Sequence, residues 1–210
     1  MIFCPLCQHH SQPFSEDRRR AYFRCPACAL VFADPAQRPT AAEEKAIYDT
    51  HENSPDDAGY RRFLGRLAQP LLDRLAPASQ GLDYGCGPGP TLSLMLREAG
   101  HGMALYDPLY APDEQVLDRQ YDFVTCTEVV EHFHQPGRDW PRLVSLVRSG
   151  GWLGIMTKLV INAERFKAWH YKNDPTHVSF YSEATFDWLA RRFDLTLTRV
   201  DQDVLLLQKR

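Results

Sequence analysis

The sequence predicts an α/β protein with a parallel-stranded core and a small cysteine-rich module ahead of it. Three observations carry that prediction. Residues 80–107 read as strand, glycine loop, helix, strand and acid, which is half of a nucleoside-binding α/β sheet. Two further apolar runs, 121–127 and 152–157, have the length and branched composition of buried strands. Two CxxC pairs, Cys4/Cys7 and Cys25/Cys28, precede all of this.

Length and charge bound the rest. A chain of 210 residues holds one full-sized core and one appendage. A formal charge of −3 demands neither nucleic acid nor an anionic membrane as partner. No apolar run approaches the roughly eighteen residues of a membrane span, and no basic-then-apolar segment opens the chain. Six cysteines then suit metal ligation and buried thiols better than disulfides, and a cytoplasmic location is expected.

Residues 1–34 form the first unit. The pairs Cys4-Pro5-Leu6-Cys7 and Cys25-Pro26-Ala27-Cys28 are separated by seventeen residues. Each pair makes a knuckle whose thiolates face one ion, and two knuckles complete a tetrahedron. Residues 20–24 and 30–32 have the aromatic and branched character of short strands. The segment resembles a zinc ribbon. About thirty residues bury too little apolar surface to fold alone, so the metal would supply most of the stabilisation. Four thiolates leave no open position, which points to a structural ion. A redox role fits less well, since the pairs are matched and neither opens a helix after a strand.

Residues 35–79 read as linker and leading helices. Pro35 and Pro39 mark the linker, and Thr40 with Glu43 forms a capping box for a helix over 41–48. Residues 51–59 read as a polar loop. A second helix over 60–75 carries an apolar stripe of Phe63, Leu67, Leu71, Leu72 and Leu75, with Pro70 expected to kink or split it. Arg61, Arg62, Arg66 and Arg74 lie mostly off the stripe, as a solvated face or, for Arg61 and Arg62, as contacts to RNA.

The third unit is 80–210. Gly85, Gly87 and Gly89 let the backbone turn tightly and admit a ligand to contact distance. Pro90 suits the first turn of a helix, and Leu92, Met95, Leu96 and Ala99 follow at helical spacing before Gly100 ends it. A dinucleotide fingerprint would need a glycine where Pro90 stands. The spacing Asp83-x-Gly-x-Gly-x-Gly89, with Asp107 eighteen residues on, instead resembles motif I of the class I S-adenosylmethionine (SAM)-dependent methyltransferases. That resemblance implies a Rossmann-like sheet with a closing antiparallel hairpin. It also implies SAM bound by Asp83, Gly85, Gly87, Gly89, Thr127 and Glu128, with Asp107 on the ribose hydroxyls.

Only fourteen residues separate Asp107 from Asp122, too few for the usual helix and strand, so the third-strand region is shortened and Val116 and Leu117 are read as its remnant. The run 121–132, YDFVTCTEVVEH, is similar to the branch containing the ubiquinone-pathway O-methyltransferases, and the small-RNA 2′-O-methyltransferases share its ExxEH element. If 128–132 is helical, Glu128, Glu131 and His132 share one face. In both relatives such residues, with a later histidine, hold a divalent ion. The resemblance implies the same for Glu128, Glu131, His132 and His177, a set suited to Mg²⁺, Mn²⁺, Fe²⁺ or Zn²⁺. Helix-capping glutamates and a core histidine are the alternative.

The tail crowds Phe166, Trp169, His170 and Tyr171 after the fifth strand, whose carboxyl end should face the methyl donor. Trp169 and Tyr171 are therefore expected to wall the acceptor pocket, with plain core packing as the alternative. Ser182 caps a helix over 183–192, and 195–200 with 204–208 make the closing hairpin. The expected activity is methyl transfer to a small hydroxylated or aromatic acceptor, with His177 or His132 as general base and Glu131 beside them. RNA methylation and a non-catalytic SAM-binding or zinc-ribbon adaptor are the competing readings.

Overall fold

The computed structural model describes residues 2–50 and 54–210. Residues 51–53 of the expected polar loop lie outside the described residues. The amino-terminal module contributes strands β1 (Gln12–Glu16), β2 (Ala21–Arg24) and β3 (Val31–Ala33). Helices α1 (Ala41–Tyr48) and α2 (Ala58–Leu72) follow. The main sheet is then laid down by β4 (Gln80–Tyr84), α3 (Thr91–Glu98), β5 (Gly102–Tyr106), β6 (Tyr121–Thr127), α4 (Pro136–Ser145) and β7 (Val147–Met156). The chain closes with α5 (Ala163–Lys167), β8 (Ser179–Phe180), α6 (Glu183–Arg192), β9 (Leu195–Asp201) and β10 (Val204–Lys209).

The six-stranded sheet runs β5-β4-β6-β7-β10-β9. Its first four strands are parallel, and the β9–β10 hairpin joins antiparallel to β7. This is the α/β, Rossmann-like arrangement expected. The third strand is missing among the described residues: Glu114–Asp118 is one 3₁₀ segment rather than a strand remnant, so β5 becomes the sheet edge. Asp113 caps that segment by accepting from Gln115 N at 3.0 Å, and with Pro108 and Pro112 nearby the short connection has no room to extend.

Local signals set most helix ends. Thr40 and Glu43 make the capping box on α1, and Ser182 accepts from Thr185 N at 3.2 Å to open α6. The helix α2 begins two residues earlier than expected because Asp57 caps it. The split at Pro70 does not occur. Pro70 lies two residues from the end of α2, where a missing N–H costs only the last turn. The stripe on α2 packs Leu64, Leu67, Ala68 and Leu71 against Leu96, Phe123, Met156 and Leu206, covering one face of the sheet.

The amino-terminal module is built into the rest of the molecule. Its sheet runs β1-β2-β3-β8, so its last strand comes from residues 179–180. Leu6, Leu30 and Phe32 share a buried cluster with Leu82, Val124, Trp140 and Leu153. The Cys4–Cys7 knuckle lies against the start of α4, where a Cβ on Gly137 would come within 2.8 Å of the Pro5 and Leu6 carbonyl oxygens. Only glycine allows that approach. A second seam consists of rings. Phe166, Tyr171 and Phe180 pack with Tyr22, Val31 and Ala33, and Phe14 and Trp169 lie against them. Replacing Phe166 or Phe180 by Ala would cost roughly 3–5 kcal/mol.

Candidate active site

Strand order reverses beside β4, and there the glycine loop opens into a cleft of about 890 Å³. Gly85 and Gly87 both have left-handed backbones, φ +79° and +62°. A Cβ at Gly85 would strike Val129 Cγ2 at 2.4 Å, whereas Gly87 faces open space. Asp107, at the tip of β5, ties the loop down: one oxygen accepts from Gly87 N at 3.0 Å, the other from Leu109 N and Tyr110 N at 2.8 and 3.1 Å. Asp83 works from beneath. Its carboxylate accepts from Ser93 Oγ at 2.9 Å and Thr125 Oγ1 at 2.7 Å, and burial raises its pKa. The α3 N-terminus has no side-chain cap and its amides begin at the cleft, an arrangement that suits an anionic group.

The cleft also holds unmet hydrogen-bonding capacity. Among the described residues seven buried side-chain polar atoms have no partner, and three of them, Thr91 Oγ1, Thr127 Oγ1 and Glu128 Oε1, belong to residues that line this cleft. Buried polar groups are rarely left so, and a polar ligand would satisfy them. Gly85, Gly87, Gly89, Asp107, Thr127 and Glu128 all line the same space.

The ExxEH run departs from expectation. It does not form one helix: β6 ends at Thr127, Glu128 turns the chain at φ +53°, and Val130–His132 is a single 3₁₀ turn. Such a backbone in a non-glycine residue costs roughly 1–3 kcal/mol and is concentrated at functional sites. The two glutamates meet instead on Tyr171, whose hydroxyl lies against Glu131 Oε1 and 3.3 Å from Glu128 Oε2. Thr157 Oγ1 donates to Glu131 Oε2 at 2.9 Å. Glu131 is wholly buried, and burial raises its pKa to about 7. Burial, then the charge of Glu131, raises Glu128 to about 8.

His132 and His177 face the cleft as a pair, their ring centroids 4.8 Å apart. His132 Nδ1 is 3.1 Å from both Tyr48 Oη and the Thr176 carbonyl. His177 Nδ1 is 2.7 Å from the Tyr171 carbonyl, a bond that puts the proton on Nδ1 and the lone pair on Nε2 in the neutral ring. Ligand atoms of Glu131, His132 and His177 lie within 4.8 Å of one another; Glu128 is not in that group, so the expected four-residue set reduces to three.

Trp169 and Tyr171 do not wall the cleft. Trp169 stacks among Phe166, Tyr171 and Phe180, and Tyr171 lies behind His177 with ring centroids 4.2 Å apart. They are seam and support, because the ring cluster is claimed by the amino-terminal module. In their place α1 brings Ala41, Glu44 and Tyr48 to the cleft, opposite His134, Gln135, Arg138 and Asp139. That placement is not legible from local sequence, because it depends on polar tertiary contacts such as His134 Nε2 to Glu44 at 2.6 Å. Arg61 is committed to an ion pair with Glu98, and Arg66 to Asp201 and Asp203.

The four cysteines meet at one point. Their sulfur atoms lie within 4.8 Å of one another, with Cys4–Cys28 at 3.5 Å and Cys7–Cys25 at 3.4 Å, and none is in a disulfide. A tetrahedral ion with bonds of about 2.3 Å spaces its sulfurs by roughly 3.8 Å. The knuckles are matched: Gln8 and Ala29, each just after the second cysteine, both have φ 60°, and each donates its N–H to the first cysteine's carbonyl at 2.9 Å. Bonding to Cys28 draws Cys4 down to about 6, while burial pushes Cys7 up to about 12. A divalent cation would resolve that competition for charge.

The sheet order and a glycine-loop cleft at the strand-order reversal are those of the class I SAM-dependent methyltransferase fold. The family described as "Methyltransferase domain" matches residues 57–200, more than half of the chain, and the protein belongs to it. No match is found among curated proteins. The fold is similar to a Burkholderia thailandensis 1,6-didemethyltoxoflavin-N1-methyltransferase solved with that acceptor and S-adenosylhomocysteine (SAH): TM-score 0.55, 17% identity, 95% of this chain and 100% of that one. CalO1, a methyltransferase of calicheamicin biosynthesis with SAH bound, aligns at TM-score 0.51 and 14% identity over 81% and 59%. A Pyrococcus horikoshii OT3 protein aligns at 0.52 and 13% over 79% and 99%.

Proposed function

We propose that the protein transfers a methyl group from SAM to a small hydroxylated or aromatic acceptor, and that His177 and His132 handle the proton released. The observation that carries this reading is the shared cleft, in which the glycine loop, Asp107 and the two imidazoles line one volume. SAM supplies an already activated methyl on a sulfonium. Gly85, Gly87, Gly89, Thr127 and Glu128 would hold it, with Asp107 at the ribose. The chain's own tasks are then alignment, exclusion of water and removal of one proton. The Nε2 lone pair of His177 suits proton removal, and Tyr171 fixes the ring from behind. The mixed polar side chains of Glu44, Tyr48, His134 and Arg138 around the acceptor end favour a small molecule with hydrogen-bonding groups. Two observations weigh against an RNA acceptor: Arg61 is spent on Glu98, and the net charge is −3.

Cys4, Cys7, Cys25 and Cys28 are proposed to hold a structural zinc ion. Glu131, His132 and His177 also suit a second divalent ion, which would orient neighbouring acceptor hydroxyls. The test of the main reading is calorimetry with SAH, followed by an acceptor screen with labelled SAM. Well-folded protein that does not bind SAH would end it. Turnover that rises with added Mg²⁺ or Mn²⁺ and fails in chelator would bring the second ion into the site.

A further inference from the structure

Arg20 is the last of three consecutive arginines and reads as the edge of a strand, yet its side chain is buried. Its guanidinium reaches some 150 residues along the chain to one loop. Nη1 donates to the Pro175 and His177 carbonyls, both at 2.9 Å. Nη2 donates to the Asp174 carbonyl at 2.9 Å and to that of Lys172. Four carbonyls of a stretch that leaves the short 3₁₀ helix His170–Asn173 and continues as a loop thus converge on one planar fork. Lys172 is buried too and pairs with Asp17, whose other oxygen accepts from the Arg20 amide at 3.0 Å.

We propose that Arg20 is a positioning residue for His177: it fixes the 172–177 loop so that the imidazole holds one tautomer facing the cleft. This rests on the reading above that His177 serves methyl transfer. The His177 ring is oriented through Nδ1 and the Tyr171 carbonyl, one residue before the stapled stretch, so the ring can hold its angle only while that stretch holds its path. The exit of the loop is fixed from the same side. Val178 O accepts from Ala33 N at 3.0 Å, Val178 N donates to Glu131 O at 2.9 Å, and β8 then pairs with β3. Both anchors, Arg20 at the head of β2 and the edge of β3, belong to the hairpin that flanks Cys25 and Cys28. The amino-terminal module is in this sense the support of the catalytic loop.

The test compares Arg20→Met and Arg20→Lys with the wild type, using SAH as the ligand. Lysine keeps the charge and loses the four-way fork. Imidazole ¹⁵N signals should show His177 as a single Nδ1–H tautomer in the wild type and as a mixture in both variants. Amide exchange at Thr176, His177 and Val178 should rise at least tenfold, while SAH affinity and exchange at Gly87 change less than twofold. If Arg20→Met does not fold, Arg20→Lys alone decides. An unchanged His177 signature, or losses at Gly87 and His177 together, would overturn the proposal. Failure of the wild type to bind SAH would instead end the methyl-transfer reading and leave the loop measurements to be judged separately.

Discussion

The two walls of the cleft are made in different ways. The glycine wall is local: Asp83, Gly85, Gly87 and Asp107 lie within twenty-five residues, and their bonds run among themselves and to Ser93, Leu109, Tyr110 and Thr125. The histidine wall is assembled at long range. His132 and His177 meet across forty-five positions and are steadied by Tyr48, Tyr171 and Arg20. A wall of the first kind is set by the conformational limits of a few residues. One of the second kind exists only once the whole molecule has folded.

The largest effect expected tests the local wall. Gly87→Val places a branched side chain at φ +62° and projects it into the cleft, so SAH binding should fall below detection by calorimetry while the protein stays folded. Retained micromolar binding would show that the loop does not cradle the ligand. Next, on the distant wall, His177→Ala should lower turnover by roughly 10²–10⁴-fold at nearly unchanged SAH affinity. Loss of stability with normal turnover of the folded fraction would make the residue merely structural. Asp107→Ala lies between the extremes and should weaken SAH binding by about 1.5–3 kcal/mol.

Cys25→Ser separates the walls most cleanly. It should release the proposed zinc ion and raise amide exchange both in the module and in residues 172–177, while SAH affinity shifts by no more than about threefold, ~0.7 kcal/mol. Metal analysis of wild-type protein without zinc would remove the premise. The smallest effect concerns pH. Glu128, raised to about 8 by burial and by Glu131, favours the folded state while it is protonated. That contribution is complete below the ordinary glutamate pKa of about 4.3 and is lost as pH climbs toward 8. Glu128→Gln should therefore flatten the decline in melting temperature over that interval, and equal slopes for both proteins would refute the assignment.

The same division governs what could be read from the sequence. The sheet strands, the glycine loop, the closing hairpin and the caps at Thr40 and Ser182 were legible because each depends on near neighbours. Both CxxC knuckles were legible for the same reason. The helical reading of 128–132 failed because spacing alone cannot report the positive φ of Glu128. Trp169 and Tyr171 were misplaced because aromatic residues at helical spacing do not announce which surface will cover them. Strands β1 and β8 gave too little signal at five and two residues, and Arg20 carried none, since its partners are carbonyls that every residue possesses.

The strand borrowed by the module has a kinetic consequence. Residues 31–33 leave the ribosome first, but their partner at 179–180 follows almost 150 residues later. At about 5–20 residues per second that interval lasts roughly 7–30 s. Throughout it the edge of β3 stands open, together with the apolar faces of Tyr22 and Phe32, to any other strand in reach. Early metal capture would hold the hairpin in shape without covering that edge, so newly made chains should be most prone to mispairing until residues 179–180 have emerged.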